Sequence, residues 1–291
     1  MIPTFSVITP SWNQGAWIDG CIRSVLAQGV EDFEHLVLDN CSNDETPEVL
    51  ARYPHLRVAV EQDSGQANAL NKGFRATNGP VICWLNSDDR YVPDTFQIVR
   101  RELLDAGRDV IFGNTHEVFF NGRPERIHRA RFDAPEDMLY WWERRTAIHQ
   151  PAVFFTRRAL EATGLLREDL HFTMDLEFWW RLSRKFRFHY VDETLAVQLR
   201  QPDSKTVKQM PRFFEEKAQV FGAELNALQP HRRWQNHVAR RLGMGRRWVN
   251  IAKAVASDNR ATARDYLRRS LEENPFLFAT PGWWRAYFHA R

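Results

Sequence analysis

The sequence predicts an α/β protein with a mostly parallel central sheet flanked by helices, followed by a helical C-terminal extension. In the first 108 residues, short apolar runs alternate with amphipathic segments, which is typical of βαβ units whose sheet is covered on both faces. From about residue 204 onward the pattern is helical and rich in tryptophan. We therefore expect one domain over residues 1–206, with halves 1–108 and 109–206, and a helical region over residues 207–291.

The predicted strands and helices alternate along the first half. Strands are predicted for TFSVIT, HLVLDN, LRVAVE and VICWLN (residues 4–9, 35–40, 56–61 and 81–86), with helices over residues 16–28, 44–53 and 65–78. In the second half, the predicted strands are DVIFGN and THEVFF, with RIHRARF as a hairpin partner. HQPAVFFTRRALEATG is predicted as a strand leading into a helix, MDLEFWWRLSRKF as a helix, and FRFHYVDETLAVQLR as two short strands.

Charge divides the chain into two parts. From residue 205 to the end there are 17 Lys/Arg and 7 Asp/Glu, whereas the preceding 204 residues have 23 and 30, so the balance changes from −7 to +10. A basic region of this kind favours an anionic partner, of which nucleic acid and an anionic membrane surface are the main classes. No recognition motif accompanies the basic region, so nucleic acid is not expected as a partner.

The cysteines and the N-terminus bear on the compartment. Cys21, Cys41 and Cys83 are an odd number without metal-type spacing, which favours a reducing compartment over a disulfide framework. The N-terminus lacks the basic and apolar regions of a secretory signal, and no window approaches the roughly 18 to 20 apolar residues that span a bilayer. We expect a cytoplasmic protein, with peripheral contact to the cytoplasmic face of the inner membrane as an open alternative.

Polar residues follow each of the four predicted N-terminal strands. The clusters are residues 9–13, 39–42, 63–66 and 86–89. In open sheets of parallel strands, ligands bind beyond the carboxyl ends of the strands. The sequence therefore predicts a binding site at this edge of the sheet.

Two adjacent aspartates, Asp88 and Asp89, follow the fourth strand directly after Asn86 and Ser87. Neighbouring carboxylates repel each other unless a cation lies between them. Mg²⁺ and Mn²⁺ are commonly held by one or two carboxylates together with phosphate oxygens. A metal site is therefore one interpretation, and a solvated turn is the other, because Asn, Ser and Asp are common turn residues.

Several other residues allow more than one interpretation. Asp39 can accept hydrogen bonds from a base or ribose, or it can stabilise a turn. Lys72 can reach a phosphate from its predicted helix, or it can be solvated. Asp175 can take part in chemistry or cap a helix, and His149 can be a base, a ligand contact or a core histidine. Trp179 lies in an aromatic-rich helix, which favours a core position.

Six motifs carry a family resemblance that none of them supports singly. In chain order over about residues 4–206, they are FSVITPSWNQ, HLVLDNCSNDET, DSGQANALNKG, LNSDD, IHQPAVFF and MDLEFWWRL. As a set they resemble a family 2 glycosyltransferase of the GT-A type, with LNSDD as its version of the DxD motif. The resemblance implies the GT-A nucleotide-diphospho-sugar transferase fold, in which residues 1–108 form the nucleotide-binding half and residues 109–206 the acceptor-side half.

The resemblance also implies roles for individual residues. The nucleoside pocket is expected to be lined by Thr9, Pro10, Ser11, Asn13 and Asp39. The nucleotide-sugar is expected to contact Asp63, Gln66, Asn71, Lys72, Asn86, Ser87 and Asp88. Asp88 and Asp89 are the expected ligands of Mg²⁺ or Mn²⁺ on the diphosphate, and Asp175 is the expected general base. His149, Gln150 and Trp179 are expected on the acceptor side.

Two positions depart from the family pattern. Met174 stands where many relatives have Glu beside the base. Gln201 stands where many relatives have a His that can help to bind metal or diphosphate. Because Gln can donate to a phosphate but does not titrate, the last ligand of the metal stays open.

The activity implied by the resemblance is inverting transfer of a sugar from a nucleotide-diphospho-sugar to a hydroxyl of a glycan or lipid-linked acceptor. The expected donor is a UDP-sugar, and the expected context is polysaccharide biosynthesis for the cell envelope. Two alternatives stay open. A nucleotidyltransferase would more often have a Gly-rich, Lys/Arg-containing segment after the first strand, which PSWNQG is not. A catalytically weak or inactive nucleotide-sugar-binding protein is suggested by Met174 and Gln201.

The basic, Trp-rich C-terminal region has two interpretations of its own. An amphipathic surface that combines Arg with Trp, Tyr and Phe can lie on anionic lipid without crossing it, which would suit a lipid-linked acceptor. The same amphipathic pattern is expected of helices that pack on the catalytic domain and leave a basic face in solvent.

Overall fold

A computed structural model describes residues 2–120, 124–131, 134–140, 147–200, 209–228, 233–256 and 259–291. The chain divides into two compact units, Met1–Pro135 with Ala147–Ala218 and Glu136–Thr146 with Gln219–Arg291. In the described residues, the first unit carries the sheet and the second is helical. The division into domains at residues 206 and 207 stays a prediction.

The first half of the first unit alternates strands and helices. Its elements are β1 (Phe5–Ser11), α1 (Gly15–Leu26), β2 (Phe33–Asp39), α2 (Thr46–Leu50), β3 (Arg57–Val60), α3 (Gln66–Ala76) and β4 (Val81–Trp84). The four strands pair in parallel in the order β3-β2-β1-β4. Their carboxyl ends therefore lie at one edge of the sheet, as the alternation in the sequence predicted.

Close packing on the sheet fixes the position of α3 against β1. Gly73 lies where a side-chain carbon would stand 2.4 Å from Cγ2 of Ile8, a buried residue of β1. Any larger residue at this position would push α3 away from the strand. The helix therefore lies against β1, with its N-terminus beside the carboxyl ends of the strands.

The second half of the first unit completes a mixed sheet. Its elements are β5 (Arg90–Tyr91), α4 (Thr95–Val99) with a π-helical continuation (Arg100–Asp105), β6 (Val110–Phe119), β7 (Arg126–His128), a 3-10 turn (Gln150–Ala152), β8 (Val153–Thr156), α5 (Arg157–Thr163), α6 (Met174–Ser183) and β9 (Phe188–Arg200). In the described residues the sheet order is β3-β2-β1-β4-β8-β6-β9-β5, with β7 beside β6. Strand β8 is antiparallel to both β4 and β6, whereas β6 and β9 are parallel.

Two predicted pairs of short strands are in fact two long strands. DVIFGN and THEVFF both lie in β6, and the two strands predicted in FRFHYVDETLAVQLR are the single strand β9. The β6–β9 register shifts on both sides of Asn114, so the ladder is irregular there. At Gly113 a side-chain carbon would stand 2.6 Å from Leu195, so the close approach needs glycine. Polar residues at this irregularity produced the predicted breaks.

The C-terminal helices confirm the helical prediction for this region in its described residues. They are α7 (Met210–Leu228), α8 (Arg233–Val255), α9 (Arg260–Glu273) and α10 (Pro281–His289), with a 3-10 turn at Pro275–Ala279 and another earlier in the chain at Pro135–Leu139. In the second unit, the rings of Trp248 and Tyr266 stack with centroids 5.3 Å apart, and the indole of Trp283 donates to Oγ of Ser270 at 3.0 Å. No helix in the described part of the chain has both the length and the apolar character needed to span a bilayer.

Candidate active site

Hydrogen bonds join the loops that follow β1, β2, β3 and β4. They run from the N–H of Asn13 to Oγ of Ser42 (2.8 Å), from the N–H of Asp63 to Oδ1 of Asn40 (3.0 Å), from Nε2 of Gln66 to Oδ1 of Asn86 (2.8 Å), and from the hydroxyl of Ser87 to the carbonyl oxygen of Pro10 (2.6 Å). Each loop is bonded to its neighbour, and the loop after β4 is bonded back to Pro10 near the carboxyl end of β1. We call these eight residues the strand-end ring. The four polar clusters of the sequence thus form one site.

Asp39 shapes the loop after β2. Its side chain is 1% exposed and accepts from the N–H and the hydroxyl of Ser42 at 3.0 and 2.6 Å. A carboxylate has about four lone-pair positions, so these bonds leave capacity for a ligand donor. Asn13 has a φ of 52°, a left-handed conformation that Asn tolerates better than most residues, and its Oδ1 accepts from the N–H of Asn43 at 3.0 Å.

The other residues expected at the nucleoside lie deeper in β1. Thr9 is fully buried, and its hydroxyl lies 2.9 Å from Nε2 of His35. Ser11 is buried, and its Oγ has no hydrogen-bond partner among the described residues. An unpaired buried hydroxyl at a site edge is unfavourable unless a ligand or water completes it.

Asn86 fixes the turn that carries the two aspartates. Its Oδ1 accepts from the indole Nε1 of Trp84 at 2.9 Å as well as from Gln66, and its side chain donates to the carboxylate of Asp89. Asp89 also accepts from the N–H of Leu199 in β9 and is 2% exposed. Asp89 is therefore held rigidly, whereas Asp88 is partly exposed at the edge of the sheet.

Burial dominates the electrostatics of the two aspartates. Burial raises the pKa of Asp88, an effect that the positive charge of Arg200 opposes. Burial also raises the pKa of Asp89 well above its ordinary value, and repulsion from Asp88 raises it further. Two carboxylates in this environment gain from a nearby cation, because it offsets both the desolvation and the repulsion.

The donor set fits a Mg²⁺ or Mn²⁺ ion that shares its coordination with a substrate. In the described residues, no group of three or more His, Cys, Asp or Glu side chains could hold a metal alone. Two carboxylates completed by phosphate oxygens and water are the usual set for these hard cations. Gln201, the other candidate ligand, lies outside the described residues.

Asp175 lies in the first turn of α6. One of its carboxylate oxygens accepts from the N–H of Leu176 at 2.8 Å. Burial raises the pKa of Asp175, whereas the positive charge of Lys217 lowers it. The loop before α6 lies beside the strand-end ring, since a side-chain carbon placed on Gly65 would stand 3.9 Å from Nδ1 of His171.

Asn71 and Lys72 of α3 hold neighbouring loops. The side chain of Asn71 is 1% exposed, accepts from the N–H of Leu166 at 2.9 Å, and donates to the Leu166 carbonyl and to Glu168 at 2.9 and 2.8 Å. Lys72 donates to the carbonyl oxygen of Gln62 at 2.9 Å and lies 3.3 Å from Glu61. Both residues therefore border the ring through structural contacts that the sequence did not indicate.

The residues expected on the acceptor side differ in accessibility. Trp179 is fully buried and packs against Trp84 and Phe155 with centroids 6.2 and 5.7 Å apart, which is the core position that its pattern favoured. Gln150 is buried, and its Nε2 donates to the carbonyl oxygen of Trp84 at 2.6 Å. His149 is half-buried and stacks on the ring of His128 with centroids 3.9 Å apart.

A basic residue missed by the sequence reasoning adjoins this side of the site. Arg200, at the end of β9, lies 3.1 Å from Oε1 of Glu117 and 3.3 Å from Nε2 of His149, and its charge lowers the pKa of both Asp88 and Asp89. Its position next to Gln201 was the only available signal.

Comparison with known proteins identifies the family. The model of glycosyl transferase family 2 matches residues 6–164, which contain the whole strand-end ring. The chain belongs to this family. TuaG of Bacillus subtilis (strain 168), assigned as a teichuronic acid biosynthesis glycosyltransferase, is 29% identical over 204 residues, which are 67% of this chain and 78% of TuaG.

Solved structures share the fold. S. aureus TarS 1-349 in complex with UDP-GlcNAc superposes with a TM-score of 0.57 at 16% identity, covering 93% of this chain and 89% of TarS 1-349. The mannosyltransferase PcManGT of Pyrobaculum calidifontis, in complex with GDP-Man and Mn²⁺, has a TM-score of 0.59 at 16% identity, covering 100% of this chain and 86% of PcManGT. The fold is therefore that of GT-A glycosyltransferases, as the motifs predicted.

Proposed function

We propose that this chain transfers a sugar, with inversion, from a nucleotide-diphospho-sugar to a hydroxyl of a glycan or lipid-linked acceptor. The observation that carries the proposal is the strand-end ring, which gathers four polar loops beside the buried Asp89 and the partly exposed Asp88. The UDP-GlcNAc and GDP-Man complexes of the structural neighbours support a nucleotide-sugar donor, and we expect a UDP-sugar. TuaG supports an acceptor in cell-envelope polysaccharide biosynthesis.

In this proposal the ring and the residues of β1 bind the nucleoside. Ser11 offers its unpartnered Oγ, and Asp39 retains lone pairs for a base or ribose donor. Thr9 and Pro10 stabilise the nucleoside pocket indirectly, because Thr9 is fully buried and the carbonyl oxygen of Pro10 accepts from Ser87. Asn13, Asp63 and Gln66 contribute groups along the rim.

Asp88 and Asp89 are the residues that would hold Mg²⁺ or Mn²⁺, and the Mn²⁺ in the PcManGT complex supports this choice. When bound, such an ion supplies positive charge to a diphosphate as it leaves. Asp88 is the more accessible carboxylate, whereas Asp89 is fixed by Asn86 and Leu199. We propose that Arg200 adds a second positive charge beside the two aspartates.

Asp175 is the proposed general base. Because burial raises its pKa, the carboxylate is a stronger base than an exposed aspartate. It takes the proton of the acceptor hydroxyl while that oxygen forms a bond to the anomeric carbon. The bond from the anomeric carbon to the diphosphate oxygen breaks at the same time, and its electron pair leaves with the nucleoside diphosphate. Attack from the face opposite the diphosphate inverts the anomeric centre.

Release of nucleoside diphosphate from a panel of UDP- and GDP-sugars, with Mg²⁺ or Mn²⁺, tests the proposal. Asp88→Asn should lose metal-dependent turnover, and Asp175→Asn should keep donor binding but lose about 10² to 10⁴ in rate. Asp105→Asn, which changes an exposed aspartate, serves as the control and should match the unmodified protein. Full turnover by Asp175→Asn would overturn its role as base.

The products separate the remaining alternatives. A sugar transferase releases nucleoside diphosphate, whereas a nucleotidyltransferase releases or consumes pyrophosphate. A protein that binds UDP-sugars but neither transfers nor hydrolyses them with Mn²⁺ would be a nucleotide-sugar-binding protein. The buried side chain of Met174 beside Asp175 is the feature of the site that would accompany weak activity.

We also propose that the protein is cytoplasmic and that its second unit binds peripherally to the cytoplasmic face of the inner membrane. Phe276, Phe278 and Phe288 are 80%, 51% and 62% exposed, and the ring of Trp284 lies 4.8 Å from that of Phe278 and 6.0 Å from that of Phe288. We call these four residues the aromatic face. Residues 274–291 contain no Asp or Glu, and they carry Arg285 and Arg291. Exposed aromatic rings in a segment of net positive charge suit the interface of an anionic bilayer.

A further inference from the structure

The loop that leads into α6 is held by a residue from another helix. The helix begins at Met174, and its preceding residue, Thr173, makes no capping bond to it with its own side chain. Instead, the carboxylate of Glu216 in α7 accepts from three successive N–H groups, those of His171, Phe172 and Thr173, at 2.9, 2.8 and 2.7 Å. The hydroxyl of Thr173 donates to the same carboxylate at 2.7 Å. Four donors from residues 171–173, which directly precede α6 and the proposed base, therefore bind the carboxylate of Glu216.

The charge of Glu216 is stabilised in this position. Burial alone would raise the pKa of Glu216, but the hydrogen bonds from the loop before α6 outweigh burial and lower it. The donors are the N–H groups of the loop residues that precede α6, and bonds from several N–H groups favour the charged form of a carboxylate. Glu216 is therefore ionised at neutral pH and holds the loop through charge-assisted bonds.

The same turn of α7 also acts on Asp175 electrostatically. Lys217 is buried, its ammonium lies 4.2 Å from the centroid of the Phe213 ring, and its charge lowers the pKa of Asp175. The charge of Glu216 raises the pKa of Asp175 in turn. Adjacent residues of one helix thus set opposing contributions at the proposed base.

The loop held by Glu216 connects Asp175 to the donor side of the site. His171, the first residue of this loop, lies beside Gly65, which directly precedes α3. In the sequence, Gly65 lies between Asp63 and Gln66 of the strand-end ring. A shift of the loop would move Asp175 relative to the ring. In-line attack tolerates little such movement, since a misplacement of about 1 Å can reduce the rate by about a hundredfold.

We propose that Glu216 is a positioning residue for the transfer reaction: by holding residues 171–173, it places the carboxylate of Asp175 against the acceptor hydroxyl. The proposal rests on the proposed function, in which Asp175 is the base. Glu216 does not touch the substrate in this proposal. It lies well beyond residues 6–164, the part of the chain that the family model matches.

Steady-state kinetics of Glu216→Ala and Glu216→Gln test this role in the full chain. We expect kcat to fall by about tenfold to a hundredfold in Glu216→Ala and less in Glu216→Gln, which keeps one acceptor oxygen. Donor affinity should stay within about twofold, because the strand-end ring is untouched. Because removing the negative charge lowers the pKa of Asp175, the acid limb of the kcat profile should move to lower pH. Glu215→Gln, the same substitution at the exposed neighbouring position of α7, is the matched control.

Unchanged kcat and an unchanged pH profile in Glu216→Ala would overturn the proposal. So would a parallel loss of donor binding, kcat and melting temperature, which would mean that Glu216 acts only on folding. If Glu216→Ala does not fold, Glu216→Gln decides by the same two readouts. Failure of the proposed function has a different signature, namely full turnover by Asp175→Asn or no transfer by the unmodified protein.

Discussion

The indole Nε1 of Trp84 donates to Oδ1 of Asn86 at 2.9 Å, across the end of strand β4. The same oxygen accepts from Gln66, and the amide of Asn86 donates to Asp89. One side chain therefore links a core tryptophan, the start of α3 and a proposed metal ligand. The position of Asp89 depends on the packing of the core behind it.

Replacing Asn86 tests this dependence. Asn86→Leu should leave the indole of Trp84 and the amide of Gln66 without their acceptor, which costs about 1 to 3 kcal/mol for the buried indole and less for the partly exposed amide. We expect a lower melting temperature and at least a tenfold loss of Mn²⁺-dependent transfer. Asn86→Asp keeps an acceptor oxygen but removes the donor to Asp89 and adds a third carboxylate beside it, so it should recover only part of the stability. Equal activity of Asn86→Leu and the unmodified protein would show that the position of Asp89 does not depend on Asn86.

Metal binding should strengthen as the pH rises. Burial raises the pKa of Asp88 and Asp89, and the ion binds only their deprotonated forms. Binding therefore displaces protons, and affinity should increase by up to about tenfold per pH unit for each proton released. Calorimetry of Mn²⁺ binding in the presence of UDP, in buffers of different ionisation enthalpy, measures the number released. An affinity that does not change between about pH 5.5 and 7.5 would contradict this account.

His35 should make the first unit sensitive to acid. Burial lowers the pKa of His35 from 6.5 to about 3, so the folded state keeps the ring neutral. The unfolded chain takes up a proton below about pH 6.5, and stability should fall by about 1.4 kcal/mol for each further pH unit down to the folded pKa. His35→Gln, which offers Thr9 a polar partner but does not titrate, should flatten this loss in urea unfolding. His237→Gln, at an exposed position, should leave the slope as it is.

The aromatic face should govern attachment to anionic vesicles. Replacing Phe278, Trp284 and Phe288 together by serine should weaken flotation with phosphatidylglycerol-containing liposomes by about tenfold or more. High salt should weaken it as well, because the attraction between cations and lipid is screened. Phe120→Ser, a change of an exposed phenylalanine in the first unit, is the control. A triple variant that keeps vesicle binding but changes oligomeric state would assign this face to a second copy of the chain.

The gathering of the four polar clusters at one edge of the sheet was predictable because it depends on local sequence. Each polar cluster follows its own strand, and parallel pairing brings the strand ends to one edge. The breaks predicted inside β6 and β9 were wrong, because a register shift at Asn114 resembles a turn in the sequence. Such irregularities depend on the partner strand, which a single sequence does not reveal.

The support around Asp175 could not be predicted. Glu216 reaches the loop before α6 from a helix more than forty positions later, and no periodicity connects the two segments. Lys72 is still expected to contact the nucleotide-sugar, but the contacts of its ammonium with the carbonyl of Gln62 and with Glu61 could not be predicted. In both cases the competing partner is backbone or a charge brought near by folding, and residue type alone does not identify it.

Every bond of the strand-end ring joins residues between Pro10 and Ser87, whereas Asp175 and Glu216 come much later in the chain. The residues proposed for donor recognition and for proton removal therefore lie in different segments of the chain. Because each loop in the earlier segment is bonded to two others, loops exchanged singly between relatives would break two bonds at once. Recombination that alters the donor should therefore move residues 10–87 whole, together with the later residues that contact them, such as Leu166 and Glu168 beside Asn71 and Gln150 beside Trp84.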